Sequence, residues 1–561
     1  MLDDTKVTME YCNGEKHLPY DEENIPLKGQ GKFHNILQLG CGLCLISMIS
    51  EVLNTAYLLP SAECDFQMTS SDKGMLSAIC YLGMIASSHL WGFMADTKGR
   101  KFTLVLTLLL DGICALASSF AHSYWLFLLL RFFNGFFICG PSAVVYAYMG
   151  EFHSNATRSR AIMWGAVFIS GAIMALPGIA WTIISQQWSF QLPLYIYHSW
   201  RLFVVICSLP SFLSAALFLV YLPESPKFLL SQDREEEALQ VLQYMFTQNT
   251  GCNPKHYKVK SLVREDMSSG ESNQKHKQSV SRVLKLMWDQ TQPLFVAPHL
   301  WKTLLGCCLM FGIYASFNGL LLWLPEIFNR LAEYEEIYPG VSATVCDVFS
   351  TLAGNSTSNS NHTSNIIVNE IVLSSTATIL ADHLVSGAIR DEVLSTISTV
   401  QSLPALNKTL ICSATVAPIV FKKSLIIGGS SALANIACVF LIGYVGKKNI
   451  LVTCLLLSGV CGGALLTVKS AAGVLILSSI LEALTMTSPT VLNSILIDIF
   501  PTHLRAMAVC VSMLMGRVGT VSSSIIMGFL LEVNCTLVFV ALGGVLLVCG
   551  SLAYLLPSSG D

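Results

Sequence analysis

Charged side chains are scarce in this chain. Asp, Glu, Lys and Arg supply 12% of its 561 residues while hydrophobic residues supply 53%, and the mean hydropathy is +0.58. A soluble domain carries roughly twice that share of charge. A soluble globular fold is therefore excluded, and a chain that crosses a bilayer many times is expected. A cationic excess is also missing: 33 Lys and Arg stand against 36 Asp and Glu, for a net charge of -3, so no nucleic-acid partner is expected. The 19 cysteines lie mostly inside apolar runs and form no cluster with histidine at zinc spacing. They read as small buried hydrophobes, and neither a metal nor a cofactor is expected. Residues 1–35 lack a basic stretch ahead of a short apolar core and lack a small-residue cleavage site. They read as a cytosolic tail without a cleavable signal peptide. No grouping of nucleophile and base marks an enzyme.

What the chain does have is apolar runs long enough to span a membrane as helices. They fall at 37–59, 74–95, 102–121, 124–149, 161–184 and 201–222, then at 302–324, 424–445, 450–468, 472–496, 506–530 and 536–556. The expected fold is all-α, with twelve transmembrane helices in two six-helix bundles. The corresponding divisions are a cytosolic tail (1–35), a first bundle (36–222), a cytosolic linker (223–300), a seventh helix (301–324), an extracytosolic insertion (325–421), the remaining five helices (422–556) and a short cytosolic tail (557–561).

Orientation follows from the cations. Lys and Arg crowd the segments at 98–101, 158–160, 224–285 and 447–448, whereas 61–72, 120–123, 185–199 and 531–535 contain none. Both termini are therefore expected in the cytosol. The insertion then faces the lumen or exterior, and its sequons at Asn355, Asn361 and Asn407 become glycosylation candidates. Cys346 and Cys412 bracket the sequon-rich part and read either as a disulfide or as free thiols. The alternating run from Ile379 to Ile389 suggests short strands.

A charge at membrane depth costs at least roughly 3 kcal/mol unless it is paired or meets water, so charged groups inside spans are candidate functional residues. They are Glu51, Asp111, Arg131, Glu482 and Arg517, with His89 alongside. Glu51 and Asp111 read as groups that face a central cavity and bind a proton or cation, or, for Asp111, as a partner in a structural pair. Arg131 reads as a functional arginine or as a cation reaching the interface. His89 reads as a packing residue.

The ten-residue turn Gly92-Phe-Met-Ala-Asp-Thr-Lys-Gly-Arg-Lys101 separates two of the spans. Asp96 is expected to cap the next helix and pair with a cation, while Gly92 and Gly99 permit close approach and a bend. The turn resembles the G-x-x-x-D-x-x-G-R-[KR] signature of the major facilitator superfamily. The halves echo each other: Arg158 follows Glu151 by seven residues, and Arg505 follows Asp498 by seven. Gly446-Lys447-Lys448 stands where a second copy of the turn belongs, without its acid. Gly92, Asp96, Gly99, Arg100, Glu151, Arg158, Asp498 and Arg505 are the expected cytosolic latch.

A narrower resemblance is carried by segments in fixed order. They are Leu59-Pro-Ser-Ala-Glu63, Lys73-Gly-Met-Leu76, Tyr81-Leu-Gly-Met84, the turn itself, Trp188-Ser-Phe-Gln191, His198-Ser-Trp-Arg201 and Pro223-Glu-Ser-Pro-Lys-Phe-Leu229. This order is similar to the synaptic vesicle glycoprotein 2 family, which also has a glycosylated insertion between helices seven and eight. The resemblance implies a transporter of a small organic solute, in the plasma membrane or in a secretory or synaptic vesicle membrane, with vesicle proteins as candidate partners. The other reading is a non-transporting membrane protein acting in trafficking, as a receptor or as a scaffold. Departures bear on that choice: Met48 and Asn493 stand where the family has acids, Asn318 replaces one of an aromatic pair, and Pro489 replaces a tryptophan, whereas Trp323 and Pro325 match. Asn318, Trp323 and Asn493 join the charged residues as candidate substrate or ion contacts.

Overall fold

The computed structural model describes residues 31–259, 292–351 and 417–557, apart from positions 154, 187, 192, 194, 258 and 340. The sequons at Asn355, Asn361 and Asn407, the alternating run at 379–389 and Cys412 lie outside the described residues.

The first half holds six long helices: α1 (Lys32–Phe66), α2 (Ser70–Lys98), α3 (Arg100–Ser119), α4 (Tyr124–Glu151), α5 (Asn155–Ile184) and α6 (Ser199–Val220). Two short helices follow, α7 (Pro226–Ser231) and α8 (Glu235–Thr250). The second half holds α9 (Leu300–Ile337), α10 (Pro418–Val445), α11 (Lys447–Ala464), α12 (Ala471–Ile499), α13 (Thr502–Val533) and α14 (Cys535–Ala553). Eleven of the long helices are long and apolar enough to cross a bilayer. The remaining one, α11, opens on Lys447, Lys448 and Asn449, which lower its apolar average. Helices are the form these runs must take, because lipid offers the backbone no hydrogen-bond partner.

Several helices that start at the extracytosolic end are closed by side-chain caps. Thr69 and Asp72 form a capping box at the start of α2, with Thr69 N–H to Asp72 at 3.0 Å and Asp72 N–H to Thr69 at 3.2 Å. Ser123 and Ser470 are simple caps of α4 and α12, accepting from Leu126 N–H at 3.4 Å and Gly473 N–H at 3.1 Å. Between α5 and α6, β1 (Ser189–Gln191) pairs antiparallel with β2 (Ile196–His198).

Several boundaries differ from the apolar runs. The seventh long helix does not stop at 324: α9 continues through Pro325 to Ile337, so Glu326 and Arg330 are helical. Charge ends the apolar run there, while the backbone keeps its bonding as the helix leaves the bilayer. The cytosolic linker is also partly ordered. Ser225 caps α7 by accepting from Phe228 N–H at 3.2 Å, and Asn249 on α8 accepts from Phe33 N–H at 3.0 Å, which fixes α8 beneath α1.

The halves meet along α2 with α13, α5 with α10 and α1 with α9. At the first seam, backbone approaches backbone: a Cβ on Gly74 would lie 2.8 Å from the Ser524 carbonyl and 3.0 Å from Gly528 Cα. Neither reading of Cys346, a bridge to Cys412 or a free thiol, holds, because Cys346 is bonded to Cys535 at the start of α14. Val345, Val348 and Phe349 are buried, so the segment after α9 folds back onto the bundle and carries Cys346 with it.

Candidate functional site

Glu51, Asp111 and Arg131, each singled out separately as a charge at membrane depth, converge inside the first half. All three are buried, as are Asn54 and Asn134 between them. Glu51 Oε2 accepts from Arg131 at 3.3 Å, Asn54 at 3.2 Å and Asn134 at 3.3 Å. Asn134 also donates to Asp111 Oδ1 at 2.7 Å, and Ser211 Oγ donates to Asp111 Oδ2 at 2.8 Å. Arg131 lies 5.2 Å from the centre of the Phe127 ring. Arg131 is thus an internal partner and does not reach the interface. The cluster holds two carboxyls and one guanidinium, so a single proton or cation brings it to neutrality. Its helices, α1, α3, α4 and α6, all belong to one half, and Asn54, Asn134 and Ser211 carried no signal in the sequence beyond polarity.

A second cluster joins the halves at the extracytosolic ends. Lys73 on α2 is 2.7 Å from both Glu63 on α1 and Glu326 on α9. Arg330, one turn beyond Glu326, reaches Glu326 at 3.1 Å and Glu63 at 3.4 Å. The charges balance, two against two, and two of the four links cross the seam. Sequence reasoning missed this quartet because its members flank the apolar runs and read as loop charges. Beside it, Asp65 accepts from Trp200 at 3.0 Å and Arg201 at 3.4 Å, while Arg201 donates to the carbonyls of Ser119 and Ala121 at 3.0 and 2.6 Å. This gives the His198-Ser-Trp-Arg201 segment an anchoring role within the first half.

At mid-depth, Arg517 on α13 crosses the seam to Ser88 on α2 at 2.7 Å and to Cys139 and Ser142 on α4 at 3.3 and 3.1 Å. No polar link across the seam occurs at the cytosolic ends among the described residues. There the clusters close within each half. Arg100 pairs with Asp96 at 3.3 Å and Glu151 at 3.4 Å, but Asp96 is 75% exposed, so water screens that pair. The cap expected from Asp96 is supplied instead by Glu224, which accepts from the N–H groups of Arg100 and Lys101 at 2.9 and 3.0 Å. Gly99 has φ +115° and a Cβ there would strike the Glu224 carboxylate, whereas Gly92 faces open space and supports no close approach. Arg158 does not pair with Glu151; it donates to the Gly150 carbonyl at 3.2 Å. Asp498 pairs with Lys447 at 2.7 Å, and the Arg505 side chain lies outside the described residues. His153, just past α4, donates to the Met149 carbonyl at 2.7 Å, and burial pushes its pKa below the usual imidazole value.

The second half keeps several polar atoms unmatched. Asn318 donates to Thr520 at 3.0 Å, and Asn493 meets only the Met513 sulfur, at 3.6 Å, with its Oδ1 unpartnered. Trp323 is buried with Nε1 unpartnered, and Glu482 is buried with neither oxygen bonded. His89 is exposed and does not pack in the core. Cys41 and Cys44, one turn apart on α1, are free buried thiols. No group of His, Cys, Asp and Glu suited to a metal occurs among the described residues.

Two six-helix halves around a polar seam are the architecture of one family of membrane transporters, and its sequence profile, the Major Facilitator Superfamily, matches residues 39–380. The chain belongs to the Major Facilitator Superfamily. Among curated relatives it is 32% identical to human synaptic vesicle glycoprotein 2B over 347 residues, 59% of this chain and 50% of the relative. Human synaptic vesicle glycoprotein 2A is 32% identical over 333 residues, 56% of this chain and 44% of the relative. The chain thus spans about half the length of the curated relatives it matches. Among solved structures, the partially occluded inward open xylose transporter from E. coli superposes with TM-score 0.60 at 13% identity, covering 94% of this chain and 99% of that one. A bacterial homolog of the human lysosomal transporter Spinster, inward-facing and occupied, gives TM-score 0.56 at 11% identity, covering 94% and 97%. These likenesses establish a shared fold. The protein is a multi-pass membrane protein of the superfamily, similar to the synaptic vesicle glycoproteins.

Proposed function

We propose that this superfamily member is a secondary transporter that carries a small organic solute by rocking its two halves about a midplane site. One observation carries the reading. Among the described residues, the polar links across the seam lie at the extracytosolic ends and at mid-depth, while the cytosolic clusters of Arg100 and Asp498 each close within their own half. That is the arrangement of one end state of an alternating-access cycle, shut outside and free to part inside. In the opposite state the Lys73–Glu326 quartet opens, and Asp96, Arg100, Glu151 and their neighbours form the cytosolic latch. The Glu51–Arg131–Asp111 cluster holds the coupling proton, because its two acids share one guanidinium. The part of 325–421 that lies between the end of α9 and the start of α10 forms a glycosylated luminal or extracellular insertion. The membrane is a plasma membrane or a secretory or synaptic vesicle membrane, where vesicle proteins are candidate partners. Uptake into proteoliposomes across a panel of sugars, amines, carboxylates and amino acids tests the reading: at least one solute accumulates above protein-free vesicles.

The second reading is a trafficking, receptor or scaffold protein that keeps the fold without the cycle. Met48 and Asn493, neutral where the resembling family has acids, favour it. Absence of uptake for the whole panel, from protein shown to be folded and inserted, selects this reading.

A further inference from the structure

Glu482 lies near the middle of α12 and is 0% exposed. Neither carboxylate oxygen has a hydrogen-bond donor, and no ion pair among the described residues includes it. The other fully buried acids differ: Glu51 is held by Arg131 and two asparagines, Asp111 by Asn134 and Ser211, and Glu326 by Lys73 and Arg330. Glu482 instead lines a small cavity of about 20 Å³ between the halves. Tyr57 from α1, Phe317 from α9, Ser424 and Ser431 from α10, and Met486 share its wall. The space takes one water-sized group. With the cavity empty a proton neutralises the carboxyl; a ligand that replaces that proton must bring a positive charge and a hydrogen-bond donor of its own.

The wall points to the kind of cation. A hard metal ion requires six or more oxygen ligands, and most of this lining is aliphatic, aromatic or thioether. A protonated amine is served well by the same set. The carboxylate neutralises it, hydroxyls accept its N–H bonds, and the Tyr57 and Phe317 rings attract the ammonium. We propose that Glu482 is the counter-charge for a protonated organic amine whose ammonium group enters this cavity between the two halves. The proposal rests on the transporter reading and names the chemical class of its solute.

The test uses the full-length protein in detergent and in proteoliposomes. Calorimetric titration with n-butylamine, cyclohexylamine and 2-phenylethylamine is compared with the three matching alcohols and with sodium chloride. At least one amine is expected to bind ten times or more tightly than its alcohol, and Glu482→Gln removes that preference while elution and helix content stay unchanged. Should E482Q fail to fold, the amine-over-alcohol preference of the unmodified protein decides alone. Equal binding of amine and alcohol, no amine binding, response to sodium only, or a preference that survives in E482Q overturns the proposal. Uptake separates it from the reading beneath it. Amine binding abolished in E482Q without uptake keeps the site and removes the transport function. Uptake of a neutral or anionic solute that is indifferent to E482Q keeps transport and removes the amine.

Discussion

Replacing Glu326 by glutamine perturbs the extracytosolic quartet with almost no change of shape. Glu326 is 1% exposed and receives Lys73 at 2.7 Å and Arg330 at 3.1 Å. After the change, two cations face Glu63 alone. Breaking a buried ion pair by removing one partner costs about 3–5 kcal/mol. Arg330 and Glu63 keep side-chain exposures of 23% and 30%, so water screens part of the loss, and about 2–3 kcal/mol is the expected penalty. In the opposite state these ends part and hydrate, so the penalty falls on the closed state. The ratio of the two states then shifts by about 30- to 150-fold toward the outward-open form. A reporter cysteine at Ser424, which lines the cavity between the halves, reads this out through an impermeant maleimide applied from the extracytosolic side. Labelling in the Glu326→Gln background should accelerate at least tenfold. An unchanged rate in folded, correctly inserted protein would refute the assignment of the quartet as a gate.

Glu224→Ala removes the acceptor from the N–H groups that open α3; a lost cap costs about 1–2 kcal/mol. Its thermal midpoint should fall measurably, and a midpoint equal to wild type would count against Glu224 as the cap. Asp111→Asn leaves the buried cluster with one acid and one guanidinium, balanced without a proton. Expression and solute binding should persist while the pH dependence of uptake flattens, and retention of the wild-type profile would remove Asp111 from coupling. Glycosidase treatment should increase gel mobility of the protein, and joint replacement of Asn355, Asn361 and Asn407 by Gln should abolish that shift; a shift that persists would contradict the luminal placement of the insertion.

The sequence made the spans legible because lipid imposes one simple rule, an apolar run of sufficient length. It failed where charge and helix coexist: the end of α9 carries Glu326 and Arg330, reads as loop, and is helix. The depth of Glu51, Asp111 and Arg131 was readable, but their convergence was not, because partner choice depends on the rotation and packing of four separate helices. The signature turn brought Asp96, Arg100 and Glu151 into view as a group. It could not identify Glu224, which comes from far along the chain and supplies the cap expected of Asp96. The pairing of Cys346 with Cys535 likewise depends on where Val345, Val348 and Phe349 bury. Glu482 stood out only as an acid in an apolar run; its lack of a partner among the described residues is a fact of packing.

Alternating access predicts opposite motions at the two ends of the molecule. Spin labels on exposed Glu236 and Tyr444 report the cytosolic ends, and labels on exposed Trp125 and Val533 report the extracytosolic ends. Pulsed dipolar distances are then measured in proteoliposomes, with and without the Glu326→Gln substitution and across pH. The account predicts a second population in which the Glu236–Tyr444 distance shortens while the Trp125–Val533 distance lengthens. Single, unchanged distances at both ends under every condition would contradict it.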